Sequence, residues 1–380
     1  MKKKYVLFSI VTLVLLVALI TSFNYFKTTN NYFEDNTSNP TKITKGISMN
    51  LEQTAGAGDY KTVTQSSWPT EGYKFNAELS RCEKGSTLSW DDTKKAVIVS
   101  GNLSDKCYVY FDIYQPTLAE YIKSQYTGTQ GDNGIYYHNS TLANGAGNNS
   151  YRYAGASDSV NNYICLGSDE ATCPDANLFR IIGVFGAQTK VIRAKSIGDQ
   201  KWNTSADNTW SSSSLNTYLN GEYLTSLGTL ADKIATTTWK VGGGTYANIS
   251  QSVPATAYQY EVGSSASTTT YDAKIGLMYV TDYYYSASPS AWTLVGWNSS
   301  DATKDYRAVK TTNWLYLGSY EWTISRNSVT TNSAFHVGSL GSVGGYNVTY
   351  SYAVRPSFNL LSSTTYVSGS GSMSDPVRVN

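Results

Sequence analysis

Histidine and charge are scarce in this sequence. Only His138 and His336 are present, and charged residues make up 15% of the chain, with a formal net charge of +1. Such a balance gives no basic field to hold nucleic acid and no acidic tail, so nucleic-acid binding is not supported. The four cysteines, Cys82, Cys107, Cys165 and Cys173, lack the CxxC spacing of a zinc knuckle and both histidines lie well away from them, which argues against zinc. Gly242-Gly243-Gly244 lacks the Lys-Ser/Thr of a phosphate loop and reads as a linker run. No nucleophile-base-acid triad is visible. His336 sits in the apolar run Ala334-Phe335-His336-Val337, where a strand residue is a simpler reading than a catalyst. Asp282, read as lying at a strand end, caps a turn more readily than it finds a second catalytic carboxylate. The chain is therefore expected to be non-catalytic, with no cofactor and no metal. Asn298, Asp301 and Asp305 are too thin a cluster for a calcium site.

What is abundant lies elsewhere. Lys2, Lys3 and Lys4 precede an almost unbroken apolar run over residues 5–26. As a helix of about 22 residues it would span about 33 Å, enough for a hydrocarbon core of about 30 Å. The lysines should remain cytoplasmic, which places the rest of the chain outside the membrane. A cleaved signal peptide is the competing reading, but Phe23, Tyr25 and Phe26 occupy the place of its small-residue cleavage site. Either reading exports everything after Lys27. The even cysteine count agrees with an oxidising compartment. A Cys82–Cys107 bond would close a loop of about 25 residues, worth about 3.5 kcal/mol in the chain-entropy model, and Cys165–Cys173 about 2.5 kcal/mol. The 32 tyrosines, set among Ser, Thr, Asn, Gly and Trp, suit β-rich extracellular modules and binding surfaces.

The organisation expected is α+β overall. Residues 1–26 form a transmembrane signal anchor and 27–42 a polar stalk. Residues 43–115 form a small all-β, sandwich-like spacer with strands near 60–63, 73–75, 87–90, 96–99 and 108–113. Residues 116–176 are a helix and a cystine-closed connecting region, opened by the capping-box pattern Thr117-Leu118-Ala119-Glu120. Residues 177–380 form a C-terminal α+β domain, with a hairpin over 178–194, a helix near 215–223, strands over 233–241 and 274–280, and further apolar runs at 314–317, 321–324, 334–337 and 352–358. The glycine-rich 338–345 reads as a flexible connection.

Several blocks carry a resemblance. The segment Trp210-Ser211-Ser212-Ser213-Ser214-Leu215 comes first, then Ile275-Gly276-Leu277-Met278. Glu321-Trp322-Thr323-Ile324-Ser325-Arg326 and Ala353-Val354-Arg355-Pro356-Ser357 follow. In this order they resemble an uncharacterised family of Gram-positive and gut-bacterial surface proteins that end in a V-R-P block after a tryptophan-rich one. More distantly, Asn313-Trp314-Leu315, Gly318, Glu321-Trp322 and Val354-Arg355 are similar to blocks of formylglycine-generating-enzyme-like proteins. That resemblance implies a C-type-lectin-like fold. It also implies a C-terminal cysteine pair working through copper, but no cysteine follows Cys173, so that activity is not expected. Trp210, Trp314 and Trp322 are read as structural, with Arg355 locking the terminal strand against Glu321.

The functional expectation is a membrane-anchored extracellular recognition or adhesion protein. It would contact the lipid bilayer through residues 5–26 and an extracellular glycan or protein through aromatic loops at 283–297 and 339–350, joined by 265–271. Tyr284, Trp292, Trp297 and Tyr346 are the candidate contacts. A structural envelope protein and an envelope-acting hydrolase are the alternatives.

Overall fold

The computed structural model describes residues 32–34, 40–42, 46–64, 67–69, 72–102 and 104–380. The expected anchor at 5–26 lies outside these residues. Among those described, no helix is long and apolar enough to cross a membrane. The architecture is mixed α+β, mostly strands in several sheets with few helices. The chain divides into two compact units, Met1–Gln115 and Pro116–Asn380.

In the first unit, β1 (Tyr32–Glu34) pairs antiparallel with β2 (Pro40–Lys42) within the segment read as a polar stalk. A four-stranded sheet follows, built from β3 (Ile47–Glu52), β4 (Tyr60–Val63), β5 (Tyr73–Cys82) and β8 (Cys107–Ile113), in the order β4-β3-β8-β5. The hairpin of β6 (Thr87–Asp91) and β7 (Ala96–Ser100) shares its core. On β8, Cys107, Val109 and Phe111 alternate inward with the period of a strand. The Phe111 ring then meets Trp68, Phe75 and Trp90 at centroid distances of 5.9, 5.9 and 5.7 Å. Cys82 and Cys107 face each other across β5 and β8 and form a disulfide. β3 runs parallel to β8, a pairing that needs a long crossover and leaves no hairpin signal in the sequence.

In the second unit, Thr117 caps the helix Leu118–Ser124 through a capping box with Glu120. A seven-stranded sheet comprises β9 (Ile135–His138), β10 (Ser150–Tyr153), β11 (Tyr163–Cys165), β12 (Leu178–Phe185), β13 (Gln188–Arg193), β17 (Ile275–Gly276) and β22 (Ser357–Asn359). Its path is β17-β22-β13-β12-β10-β9, with β11 on β12. β12 and β13 are buried nearly throughout, as strands covered on both faces must be. β12 is bulged between Ile181 and Gly183, and a Cβ on Gly183 would lie 2.3 Å from the Tyr151 carbonyl, so only glycine fits. Residues from 118 to 166 join the same core as those beyond 177, and Cys165–Cys173 ties the connection down.

A five-stranded sheet completes the unit: β14 (Asp199–Lys201), β18 (Glu321–Arg326), β19 (Ser333–Val337), β20 (Val343–Asn347) and β21 (Ser351–Ala353), in the order β14-β21-β18-β19-β20. Smaller ladders join β15 (Thr237–Lys240) to β16 (Thr270–Ala273) and β23 (Tyr366–Ser368) to β24 (Arg378–Val379). Several sequence expectations are corrected here. The run 274–280 is not a long strand; after β17 the chain enters the helix Val280–Tyr285. The helix Pro254–Glu261 and strand β16 were not foreseen, and the glycine-rich 338–345 contributes to β20. Residues 352–358 are split by Pro356, which has no N–H to give a ladder. The Arg355-Pro356 step thus carries the chain from β21 in one sheet to β22 in the other.

Candidate ligand-binding surface

The five-stranded sheet has two unlike faces. Alternation sends Phe335, Val337, Val343 and Ala353 into the core. The opposite side chains, Tyr352 on β21, Trp322 on β18, His336 on β19 and Tyr346 on β20, come together on the other face. Trp322 pairs directly with His336, and His336 with Gly344, which lacks a side chain; a Cβ there would lie 3.1 Å from the imidazole. Tyr352 lies against Trp322 (4.5 Å between centroids) and His336 (5.1 Å), and stacks on Tyr320 (5.0 Å, 23°). Tyr346 meets Tyr350 edge-on at 4.6 Å. Trp322 and His336 are buried and form the floor, whereas Tyr320, Tyr346 and Tyr350 are 47%, 44% and 51% exposed. Few groups on this face can titrate near neutrality. Burial pushes His336 down to about 4, so the ring is neutral, and its Nδ1 is buried without a hydrogen-bond partner.

The Arg-Pro step anchors this sheet. Arg355 donates through Nε to Glu321 Oε1 (2.7 Å) and through Nη2 to Oε2 (2.8 Å), while Nη2 also donates to the Leu315 carbonyl (2.6 Å). Both side chains are almost fully buried, and burial raises the Glu321 carboxyl. This fork matches a planar guanidinium to a carboxylate and fixes β18 to the crossover. Trp210 is buried edge-on to Trp202, and Trp314 donates to the Tyr153 carbonyl at 2.8 Å.

The remaining candidate contacts divide. Tyr284 and Trp292 are fully buried, with Tyr284 donating to the Ile249 carbonyl (2.8 Å) and Trp292 to that of Ala287 (3.0 Å), so neither presents a ring to a ligand. Trp297 is half-buried against Tyr246, and Tyr346 is the one that reaches the surface. Residues 270–273 are paired in β16 and do not form a free loop. The helix Val280–Tyr285 is buried at every position.

A second set of polar residues, unforeseen, lies inside the unit. Asp282 accepts from Lys190 Nζ (2.5 Å) and Arg152 Nη1 (3.4 Å), and from the Tyr279 N–H at the start of a helix rather than at a strand end. Glu261 accepts from the Val280 and Thr281 N–H groups (2.8 Å each) and from the hydroxyls of Thr281 and Ser325. Burial lowers Lys190 and raises Glu261. Rings of Trp239 and Tyr279 lie 5.1 and 4.4 Å from the Lys190 ammonium. The signal in the sequence was slight: Arg152 between two tyrosines and Lys190 at the start of an apolar strand. These groups are mutually satisfied and buried, which suits a structural lock better than acid-base work on a substrate. Asp305, similarly, is held by Arg307 (Nη2–Oδ2 2.6 Å). His138 is buried with Nδ1 accepting from the Ala146 N–H (3.1 Å), its pKa driven well down by burial and then by Arg152.

Comparison with known proteins places the chain in no class: no family model, no curated protein and no solved structure matches it. Two disulfides are present, as expected of a protein in an oxidising or extracellular environment.

Proposed function

We propose that this chain is an exported recognition or adhesion protein without catalytic activity, anchored by residues 5–26 with its N-terminus cytoplasmic and its two units outside. The aromatic face of the five-stranded sheet is its contact surface for an extracellular glycan or protein. One observation carries the reading: three half-exposed tyrosines, Tyr320, Tyr346 and Tyr350, rim a rigid floor of Trp322, His336 and Tyr352. Tyrosine offers wide, stiff contact area at low entropy cost, and an immobile floor spares a binding partner the cost of ordering it. Among the described residues, the rings named on this face bring no carboxylate pair with them, which supports recognition over hydrolysis. The C-type-lectin-like reading of the second unit, and its kinship with bacterial surface proteins, rest on the Trp322 and Arg355 blocks. In support, those blocks meet through the Arg355–Glu321 fork. The apolar run after three lysines supports the anchor, and the disulfides support export.

The test is capture on glycan and protein arrays by the full chain, kept in a sugar-free zwitterionic detergent. The wild type should bind a defined subset of features, and a Tyr346→Ala/Tyr350→Ala variant should lose that signal at least tenfold. Empty arrays together with homogeneous self-assembly of the chain would replace this reading with a structural envelope role.

A further inference from the structure

A second place in the Pro116–Asn380 unit has the character of a binding site, and it is built from different elements. A cavity of about 370 Å³ lies among the helix Leu118–Ser124, the turn before β9, the end of β10 and the C-terminal hairpin β23-β24. No charged side chain lines it. Its lining includes Gln125, Asn133, Asn161 and Ser370, with Tyr121 and Tyr153.

Tyr153 is the informative residue. Its backbone is fixed on three sides: it pairs with Ile135 across β9 and β10, its carbonyl accepts from Trp314 Nε1 (2.8 Å), and the next N–H donates to the Gly134 carbonyl (2.9 Å). The residue is 5% exposed, yet its hydroxyl hydrogen-bonds to no described residue and the side chain lines the cavity. Tyr283, Tyr284 and Tyr306, by contrast, each donate to a backbone carbonyl at 2.8–2.9 Å, while the Tyr223 hydroxyl also lacks a partner but is sealed from any space a ligand could occupy. The Tyr153 hydroxyl oxygen keeps accessible area, so a molecule in the cavity can reach it and supply the hydrogen bond that no described residue makes. Around it the lining atoms are amides and hydroxyls, each able to donate and accept. Asn133 is positioned by donating Nδ2 to the Gln125 carbonyl (2.8 Å), which leaves its Oδ1 as an acceptor. The Asn161 and Ser370 side chains stand exposed at the rim. Tyr121 is held flat against Tyr366, 3.6 Å away and 9° from parallel.

We infer that this cavity is a binding site for a neutral polyhydroxylated ligand, a single monosaccharide unit or a sugar-like polyol, with the Tyr153 hydroxyl as its buried hydrogen-bonding anchor. Hydroxyl and amide groups match the mixed donor-acceptor character of sugar hydroxyls. A charged ligand would enter without a counter-charge and lose its hydration for nothing. Asp375, the carboxylate of the hairpin, lies outside the lining and is occupied in accepting from the Ser370 N–H (2.8 Å). The volume falls at the small end of ligand pockets, about 300–1,000 Å³, and so selects one ring over an oligosaccharide. The site is independent of the aromatic face, and either can fail without the other.

The test uses the full chain in sugar-free detergent, probed by saturation-transfer NMR and calorimetry. The probes are glucose, galactose, mannose, N-acetylglucosamine and N-acetylgalactosamine, with glucuronate and glucosamine as charged counterparts. At least one neutral sugar should bind, and both charged probes should bind at least tenfold more weakly. Tyr153→Phe, which removes one oxygen and keeps the ring, should weaken binding about fivefold to tenfold. Asn161→Trp, which fills the cavity from an exposed position, should abolish it. Tyr346→Ala, on the aromatic face, should leave it within twofold. The inference is overturned by the absence of neutral-sugar binding, by binding that survives Tyr153→Phe and Asn161→Trp within twofold, or by tighter binding of a charged probe.

Discussion

Residues 279–297 and 339–352 are both dense in aromatic residues, and they meet opposite fates. In the first, Tyr283, Tyr284, Tyr285 and Trp292 are buried, and every one of their polar ends donates to a backbone carbonyl. In the second, Tyr346 and Tyr350 lie about half exposed, beside Tyr352 and over a buried Trp322 and His336. The difference lies in what surrounds them. The helix Val280–Tyr285 is clasped by Glu261 at its first N–H groups and by Lys190 and Arg152 at Asp282, so all its sides are covered. β20 is an edge strand, and its Tyr346 lies about half exposed beside Tyr350, Tyr352 and His336. Tyrosine content therefore marks where aromatic area is available, while the elements packed around each ring decide whether that area is core or surface.

The sharpest way to break this comparison is to remove the lock on the buried segment. Asp282→Ala leaves Lys190 and Arg152 as unpaired buried cations, and should cost about 3–5 kcal/mol in denaturant unfolding. Arg355→Ala, which strands Glu321, should cost a similar amount, whereas a loss below about 1 kcal/mol would show the ion pairs to be incidental.

A smaller effect comes from acid. The unfolded chain protonates His336 as pH falls through about 6.5, but the folded chain does so only near 4. Stability present above pH 6.5 is therefore lost progressively over that window, by about 3 kcal/mol. Glu261 and Glu321 act in the opposite sense, because burial raises their carboxyls and the folded state takes up their protons first. The His336 contribution is accordingly read as the difference between wild type and His336→Phe in unfolding measured from pH 7 to 4. A flat difference would show the imidazole to be solvated.

Smaller still, Tyr283→Phe should cost about 1 kcal/mol, since it leaves the Gly341 carbonyl without its donor. At the low end, Tyr346→Ala should change stability by no more than about 0.5 kcal/mol, as surface truncations do, while reducing ligand capture at least tenfold. A stability loss as large as that of a core tyrosine would make Tyr346 structural.

Part of this architecture was legible in the sequence. Short-range signals carried through: the capping box at Thr117, the strands around Tyr60, Thr87 and Ala96, and the hairpin ending in Arg193; one longer-range pairing, Glu321 with Arg355, was also expected from their motif blocks. What was not legible depends on contacts far apart in the chain. The apolar run before Val280 looks like a buried strand, because periodicity cannot separate a short buried strand from the lead into a buried helix. The glycines of 338–345 read as flexible, yet Gly344 is small because His336 lies beside it. Tyr284 and Trp292 were indistinguishable from Tyr346 by composition, since their burial is set by Ile249, Ala287 and Tyr306 on other elements. Arg152, Lys190 and Glu261 come from three separate segments and meet only when the sheet and helices close.

Hydroxyl-radical footprinting of the full chain, free and with a ligand captured on the arrays, tests the recognition surface most directly. Tyr320, Tyr346 and Tyr350 should oxidise in the free protein and become protected by the ligand, while Tyr283, Tyr284 and Tyr306 stay unmodified in both states. Protection elsewhere with the three rim tyrosines still reactive, or early oxidation of Tyr283 and Tyr284, would contradict the assignment of this face.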